Sequence, residues 1–318
     1  MTMTKPLATA ALVLAAAATP ALAEFPEKPI QLIVPFSAGG GTDSLARIVQ
    51  ASIEKNDLLP VPVAVVNAAG AAGTVGSRAA LSAEPDGHTI LQIHQEMFSV
   101  SAIGRVEYSP DDFEPVIQAT RACMFVAVPE ESEFESMDDL LEAAEERGRG
   151  LKQADAIGSA THFPSAQLMQ STDTRWTIVP TGGTSKRFAS LKGGFSDFAL
   201  LSPPWVERGA EDLRALAVAG PERYESLPDV PTLKELGHDV EACLVRRYWA
   251  PKDTPETVID VLADAIEAAL KSDEAQAHIS ASGEELAILR GEELRDAVTE
   301  EYQSFLDIAD VVRETSGG

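Results

Sequence analysis

Four short runs of glycine, serine and threonine are the residues of this chain best suited to holding a small anion. They are Ser37-Ala38-Gly39-Gly40-Gly41-Thr42-Asp43, Ala69-Gly70-Ala71-Ala72-Gly73-Thr74, Gly158-Ser159-Ala160-Thr161-His162 and Thr181-Gly182-Gly183-Thr184-Ser185. Glycine lets a backbone approach a ligand closely, and the unpaired N–H groups at a helix N-terminus favour negative charge. One such run is equally a plain tight turn. Four of them, each between a strand and a helix, predict the rim of a carboxylate pocket at the carboxyl edge of an α/β sheet.

Catalytic patterns are missing. Ser44 stands where a dinucleotide fingerprint needs its last glycine, and there is no G-x-x-x-x-G-K-[ST] loop, H-E-x-x-H pair or G-x-S-x-G elbow. The five histidines, His88, His94, His162, His238 and His278, have no mutual metal-ligand spacing. No cofactor and no metal are expected, and the chain is read as a non-enzyme. The best nucleophile and base that can be assembled is Ser159 or Thr161 near His162, without an orienting acid. A secreted α/β hydrolase acting on a carboxylated substrate is therefore the competing reading.

The elements that must position these loops follow from apolar patterning. Runs rich in Val and Ile alternate with helical patterns, the signature of βαβ units around mostly parallel sheets. Residues 31–36, 61–67, 89–94, 125–128, 177–180, 198–202 and 213–219 are predicted strands, and 42–55 the first helix. Several are nearly continuous apolar runs, as strands buried on both faces should be. Ser136, followed three residues later by Asp139, makes an acidic capping box, and Gly148 is placed to end that helix. Thr254 and Pro255 start another, with Val258, Leu262, Ile266 and Leu270 on one face. Residues 255–313 read as almost wholly helical.

The N-terminus reads as a secretory signal: Lys5, an apolar stretch over 7–18, and Ala21-Leu22-Ala23 as a cleavage site, so that residues 1–23 are removed. No later stretch approaches the ~20 apolar residues of a transmembrane helix. The 318 residues exceed the usual size of one core, so two domains of roughly 100 to 170 residues each are expected. Net charge is -25, and one unit more negative without the leader, whose only charge is Lys5. Nucleic acid and anionic membrane surfaces are poor partners for such a field. Acidic residues crowd 130–146 and 284–301, as solvated faces do.

Taken in order, the loops resemble those of the Bug or TctC-like family of extracytoplasmic solute receptors. The resemblance extends to Phe25-Pro26-Glu27-Lys28-Pro29-Ile30, Ile33-Val34-Pro35-Phe36 leading into the first loop, Pro85-Asp86-Gly87-His88-Thr89, Leu213-Arg214-Ala215-Leu216-Ala217-Val218 and Leu227-Pro228-Asp229-Val230-Pro231-Thr232. It implies a two-domain α/β periplasmic binding protein, type II-like, with crossing hinge strands. Domain 1 would comprise 24–122 plus 245–318, and domain 2 would comprise 123–244. It further implies a monomer that captures a small carboxylate or amino-acid-like ligand and delivers it to the membrane subunits of a tripartite tricarboxylate transporter. A ligand sensor for a signalling receptor is the other role compatible with it. The family holds its ligand mainly through backbone amides and small hydroxyls. The resemblance thus carries over to Ser37, Ala38, Gly39, Gly40 and Asp43 on one side, and to Gly158, Ser159 and Thr161 on the other. Thr181 and Gly183 of the fourth loop complete the predicted rim.

Departures from the family bear on the ligand. Ala68-Ala69 follow Asn67 where Arg-Pro is common, and Asp155 replaces a small residue before the third loop. Either Asp155 points away from the cleft or the ligand carries positive charge. Lys186-Arg187 are either a source of local positive potential or a solvated pair. Arg121 and Arg246-Arg247 fall at the predicted crossings. Arg246 is the first choice for a side-chain contact with the ligand, a hinge salt bridge being the alternative. His94-Gln95-Glu96 ends a strand at the same edge and either shapes the pocket or packs a loop. Cys123 and Cys243 also lie at the crossings. They form a disulfide if the neighbouring strands are in register, and stay buried thiols if not.

Overall fold

The computed structural model describes residues 25–315, and the predicted leader lies outside them. Apolar runs and amphipathic helices alternate from the start: β1 (Ile30–Val34), α1 (Gly41–Lys55), β2 (Val63–Asn67), α2 (Thr74–Leu81), β3 (Thr89–Ile93) and α3 (Glu96–Ala102). Two strands almost abut, β4 (Phe113–Cys123) and β5 (Phe125–Pro129). Then come α4 (Met137–Arg147), β6 (Lys152–Asp155), α5 (His162–Ser171), β7 (Thr177–Pro180), α6 (Thr184–Lys192), β8 (Phe198–Leu201), α7 (Pro203–Arg208) and β9 (Leu213–Val218). The chain ends with β10 (Cys243–Pro251), α8 (Glu256–Leu270), α9 (Asp273–Ala281), β11 (Glu285–Leu289) and α10 (Gly291–Thr315).

The strands form a six-stranded sheet, order β11-β4-β10-β3-β1-β2, and a five-stranded sheet, order β7-β6-β8-β5-β9. In the first, β1 is central to the parallel trio β2-β1-β3, and β10 runs antiparallel to β3 and β4. β1 is apolar except at the exposed Gln31, because its other side chains are covered on both faces. Ile30, Leu32 and Val34 join the core beneath α1 and α8, and Ile33 joins a second core with α10. Each such side chain stabilises the sheet by about 1.5–3 kcal/mol relative to exposure. The helix signals hold locally. Ser136 Oγ accepts from Asp139 N at 3.2 Å while Asp139 Oδ2 accepts from Ser136 N at 2.9 Å.

The two sheets meet where β4 gives way to β5 and where the chain returns into β10. Met124 N donates to Ala242 O (2.9 Å), Ala242 N to Ala219 O (2.8 Å) and Ala219 N to Met124 O (2.8 Å), so three segments are laced together at the crossing. Cys123 and Cys243 are direct cross-strand partners in the β4–β10 register and are joined as a disulfide. The strands are in register, which resolves the alternative left open by the sequence.

The stretch 255–313 is almost wholly helical, as α8, α9 and α10, but it also holds β11, which the sequence reading did not pick out and which pairs antiparallel with β4. Gly283, at φ +64°, turns the chain after α9, and Glu285 then reaches Arg121 across the strands at 2.9 Å. The last helix, α10, serves both halves. It packs on α3 and β4, and Phe305 also stacks on Phe163 of α5 with ring centroids 4.4 Å apart.

Candidate functional site

The first loop is exposed from Ser37 to Gly40 and is held from behind. Gly39, at φ +81°, donates its N–H to Asp43 Oδ2 at 2.8 Å. Asp43 Oδ1 accepts from Asn67 Nδ2 (2.8 Å), and Arg47 Nε donates to Oδ2 (3.0 Å). Asp43 is therefore turned inward as the loop's anchor. Burial raises the pKa of its carboxyl, but these donated hydrogen bonds outweigh that effect and hold it below the usual carboxylate range. Gly40 caps α1 without any side-chain acceptor, leaving the first helical amides to an outside acceptor.

Arg246 lies beneath this helix start. It is 7% exposed, and a Cβ at Gly41 would come within 2.6 Å of its Nη2, so the third glycine makes room for a guanidinium. Arg246 Nη1 is 2.6 Å from Glu284 Oε2, which also accepts from Thr120 Oγ1 at 2.6 Å. Arg246 thus both pairs in the hinge and adds positive potential under α1. Arg121 and Arg247 are hinge pairs too, the latter with Glu301 at 2.5 Å. The sequence offered no local sign that Gly41 and Arg246 meet.

In the five-stranded sheet the third and fourth loops share one buried network. Asp155 is fully buried. Its Oδ1 accepts from Thr161 Oγ1 (2.6 Å) and Ala156 N (2.7 Å), and lies 2.8 Å from Arg187 Nη2. Arg187 Nε donates to Gly182 O (2.8 Å), Nη1 to Leu200 O (3.2 Å) and Nη2 to Thr161 Oγ1 (2.7 Å). Gln153 Nε2 donates to Asp155 Oδ2 (3.1 Å) and Ser165 Oγ (2.7 Å), and its carbonyl accepts from Trp176 Nε1 (2.7 Å). Asp155 therefore points away from the cleft, and no positive ligand group is needed to neutralise it. Of the pair Lys186-Arg187, only Lys186 is exposed.

Thr181 is half-buried, and its N–H donates to Asp155 O at 2.8 Å. Gly183 is exposed, with nothing within 4 Å of where a Cβ would stand, and it caps α6 without a side-chain acceptor. Gly158 and Thr161 are buried and Ser159 is half-buried. Gly73 of the second loop has a packing role instead, lying against Ile93 and Phe36, and Gly76 within α2 allows that helix to approach Pro35.

The two halves of the site are linked through the end of β3. His94 stacks on Phe36 with centroids 5.1 Å apart, and its Nδ1 accepts from Glu96 N at 3.2 Å. Glu96 Oε2 in turn accepts from Ala160 N of the third loop at 3.2 Å. Burial pushes the Glu96 carboxyl up to about 7. Nearby Asp155 adds to that, while the Ala160 N–H, Arg105 and Arg187 oppose it.

The folded protein therefore retains a proton that the unfolded chain releases near 4.5. Stability from this group is full below that pH and is lost as pH rises through 7. Glu96→Gln, which cannot ionise, should lose less melting temperature than the native protein between pH 4.5 and 7. Parallel pH profiles for the two proteins would contradict the assignment.

The hydrolase reading fails on geometry. His162 Nδ1 accepts from Gly158 N at 3.0 Å, and Nε2 donates to Thr315 Oγ1 at 3.0 Å, so neither ring nitrogen is free to take a proton from Ser159 or Thr161. Among the described residues no group of three His, Cys, Asp or Glu could hold a metal ion, and no helix is long and apolar enough to cross a membrane. The groove of about 700 Å³ beside the crossing carries Glu207, Glu222, Glu225, Glu284 and Glu285 against Arg223, the wrong sign for an anion.

Two α/β sheets joined by laced crossing strands, with uncapped helix N-termini on the rim, define a two-domain solute-binding protein of the periplasmic type. The chain belongs to the tripartite tricarboxylate transporter family receptors, whose family description matches residues 45–303. It is similar to protein BugT of Bordetella pertussis, 30% identical over 329 aligned positions that cover 99% of this chain and 98% of that one. MatC of Rhodopseudomonas palustris with bound malate superposes with a TM-score of 0.74 at 26% identity, over 90% of this chain and 100% of that one. Rpa4515 of R. palustris with adipate gives 0.73 at 25% identity, over 92% and 99%. The family is one of substrate-binding receptors rather than enzymes, and this chain is a substrate-binding receptor.

Proposed function

We propose that this receptor closes two domains, residues 24–122 with 245–318 and residues 123–244, around one small carboxylate. The observation that carries this reading is the start of α1. Its Gly40 cap has no side-chain acceptor, Ser37 to Gly40 are exposed, and the Arg246 guanidinium packs directly beneath Gly41. A carboxylate placed there would cap the helix and gain from both the helix dipole and the arginine. Ser37, Ala38, Gly39 and Gly40 would contact it from one side, and Ser159, Thr181 and Gly183 from the other. Asp43, Gly158 and Thr161 would act by shaping the loops, and Arg246 through its charge. Bound malate and adipate in similar receptors support a small carboxylate as the cargo.

In this reading the chain is exported, cleaved after Ala23, and works in the periplasm as a monomer that hands its ligand to the membrane subunits of a tripartite tricarboxylate transporter. Uptake of a labelled carboxylate into vesicles carrying those subunits should require the added receptor. Uptake that proceeds equally without it would overturn the transport role.

A further inference from the structure

We infer that Glu96 is a specificity-determining residue: its carboxyl group occupies the place at the third loop that a second ligand carboxylate would use, so the cleft favours ligands with a single carboxylate. The inference rests on the carboxylate-receptor reading above and narrows its ligand class.

The third loop and the first are unlike in their free donors. At the first, the helix start has no side-chain acceptor. At the third, Gly158 N donates to His162 Nδ1 (3.0 Å), Ser159 N to Ala156 O (3.1 Å), His162 N to Ser159 O (2.9 Å), and Ala160 N to Glu96 Oε2 (3.2 Å). Three of these acceptors belong to the loop itself or to the helix it begins. The fourth comes from the other half of the molecule, at the start of α3 after β3 of the six-stranded sheet. Glu96 therefore does from within the chain what a ligand carboxylate would do from outside, accepting the N–H of Ala160 just before α5 begins.

The contact is held in place rather than incidental. A Cβ at Gly158 would stand 2.8 Å from Ile103 Cδ1 and 3.0 Å from Arg105 Nη2, and Arg105 Nη2 donates to Ile157 O at 3.4 Å. The loop is thus docked on the turn after α3, and Glu96 is only 9% exposed within that joint. A second ligand anion would have to displace a carboxyl of its own kind from a fitted position, and would meet its repulsion whenever it is ionised. A ligand with one carboxylate at α1 and an uncharged far end meets no such competitor.

The test titrates hexanoate against adipate and butyrate against succinate, by calorimetry, into the native protein, Glu96→Ala and Glu96→Gln. The native protein should bind the monocarboxylate of each pair at least about tenfold more tightly, a difference of about 1.4 kcal/mol. Glu96→Ala, which frees the Ala160 N–H, should gain about tenfold for the dicarboxylates with little change for the monocarboxylates. Glu96→Gln keeps an acceptor without the charge and should gain less. It also keeps the test readable if the alanine variant does not fold. A native preference for the dicarboxylates, or a ratio that moves in neither variant, overturns the inference and leaves the receptor reading standing. No binding of any of the four by any variant overturns the inference as well, and the receptor reading itself falls only if no carboxylate of a wider panel stabilises the protein.

Discussion

Arg187→Ala should destabilise the folded protein by about 3–5 kcal/mol, because it leaves the Asp155 carboxylate buried without its counter-charge. The side chains of Arg187 and Asp155 are 6% and 0% exposed, so solvent cannot take over the role of the guanidinium. The same change removes the donors to Gly182 O, Leu200 O and Thr161 Oγ1, which tie α6 to both loops and to β8. Denaturant unfolding should show the loss as a lower midpoint. Lys186→Ala, one residue away and exposed, should stay within about 0.5 kcal/mol of the native protein. Adding Asp155→Asn to Arg187→Ala should recover part of the loss, since the unpaired charge is its main cause. Equal effects at 186 and 187 would contradict the network.

The second large effect is expected at the crossing. Cys123 and Cys243 close a loop with a sequence separation of 120. Constraint of the unfolded chain by a loop of that order is worth about 4.7 kcal/mol in the chain-entropy account. Replacing both by serine, Cys123→Ser with Cys243→Ser, should lower stability by an amount of that order, read from the denaturation midpoint. The site suits a rigid clip. Gly220 lies against the bridge, where a Cβ would come within 2.9 Å of Cys123 Cβ, and Tyr224 Oη accepts from Cys123 N at 2.8 Å. Two thiols open to alkylation without prior reduction would contradict the pairing, as would a serine variant of native stability.

Much of this architecture is legible in the sequence, for a physical reason. Strands such as β1, β3 and β8 are covered on both faces, so their side chains are apolar almost without interruption and the run announces itself. β4 and β10 are just as buried but carry Gln118, Thr120, Arg121, Arg246 and Arg247, which break the apolar run. These residues are tolerated because their partners sit on neighbouring strands or helices far away in sequence. Arg247 Nε donates to Gln118 Oε1 (3.0 Å), and Arg121 pairs with Glu285. No local window contains both members of such a pair. β11 fails to show for a related reason: it is an edge strand, half-buried along its whole length, following directly on a helix.

The rim divides in the same way. The first loop reads correctly as an exposed helix start, because three consecutive glycines are a local signal. The third loop reads the same in sequence but differs in space. The residue that satisfies Ala160 is Glu96, 64 positions earlier, and it arrives only through the fold. Arg187 was equally opaque, since an arginine early in a helix looks like a surface residue until Asp155 is placed against it. What had looked like four equivalent anion-binding loops is one open helix start, a second exposed cap at Gly183, one loop tied to Glu96 of α3 and one packing turn.

The central claim, that the rim reversibly captures a small carboxylate, is tested most directly by the melting temperature of the native protein across a panel of mono-, di- and tricarboxylates, aromatic acids and amino acids. The account predicts that at least one carboxylate raises it by mass action, with a stabilisation of about 2.7 kcal/mol at a hundredfold excess over Kd. A panel in which no carboxylate moves the transition would contradict it.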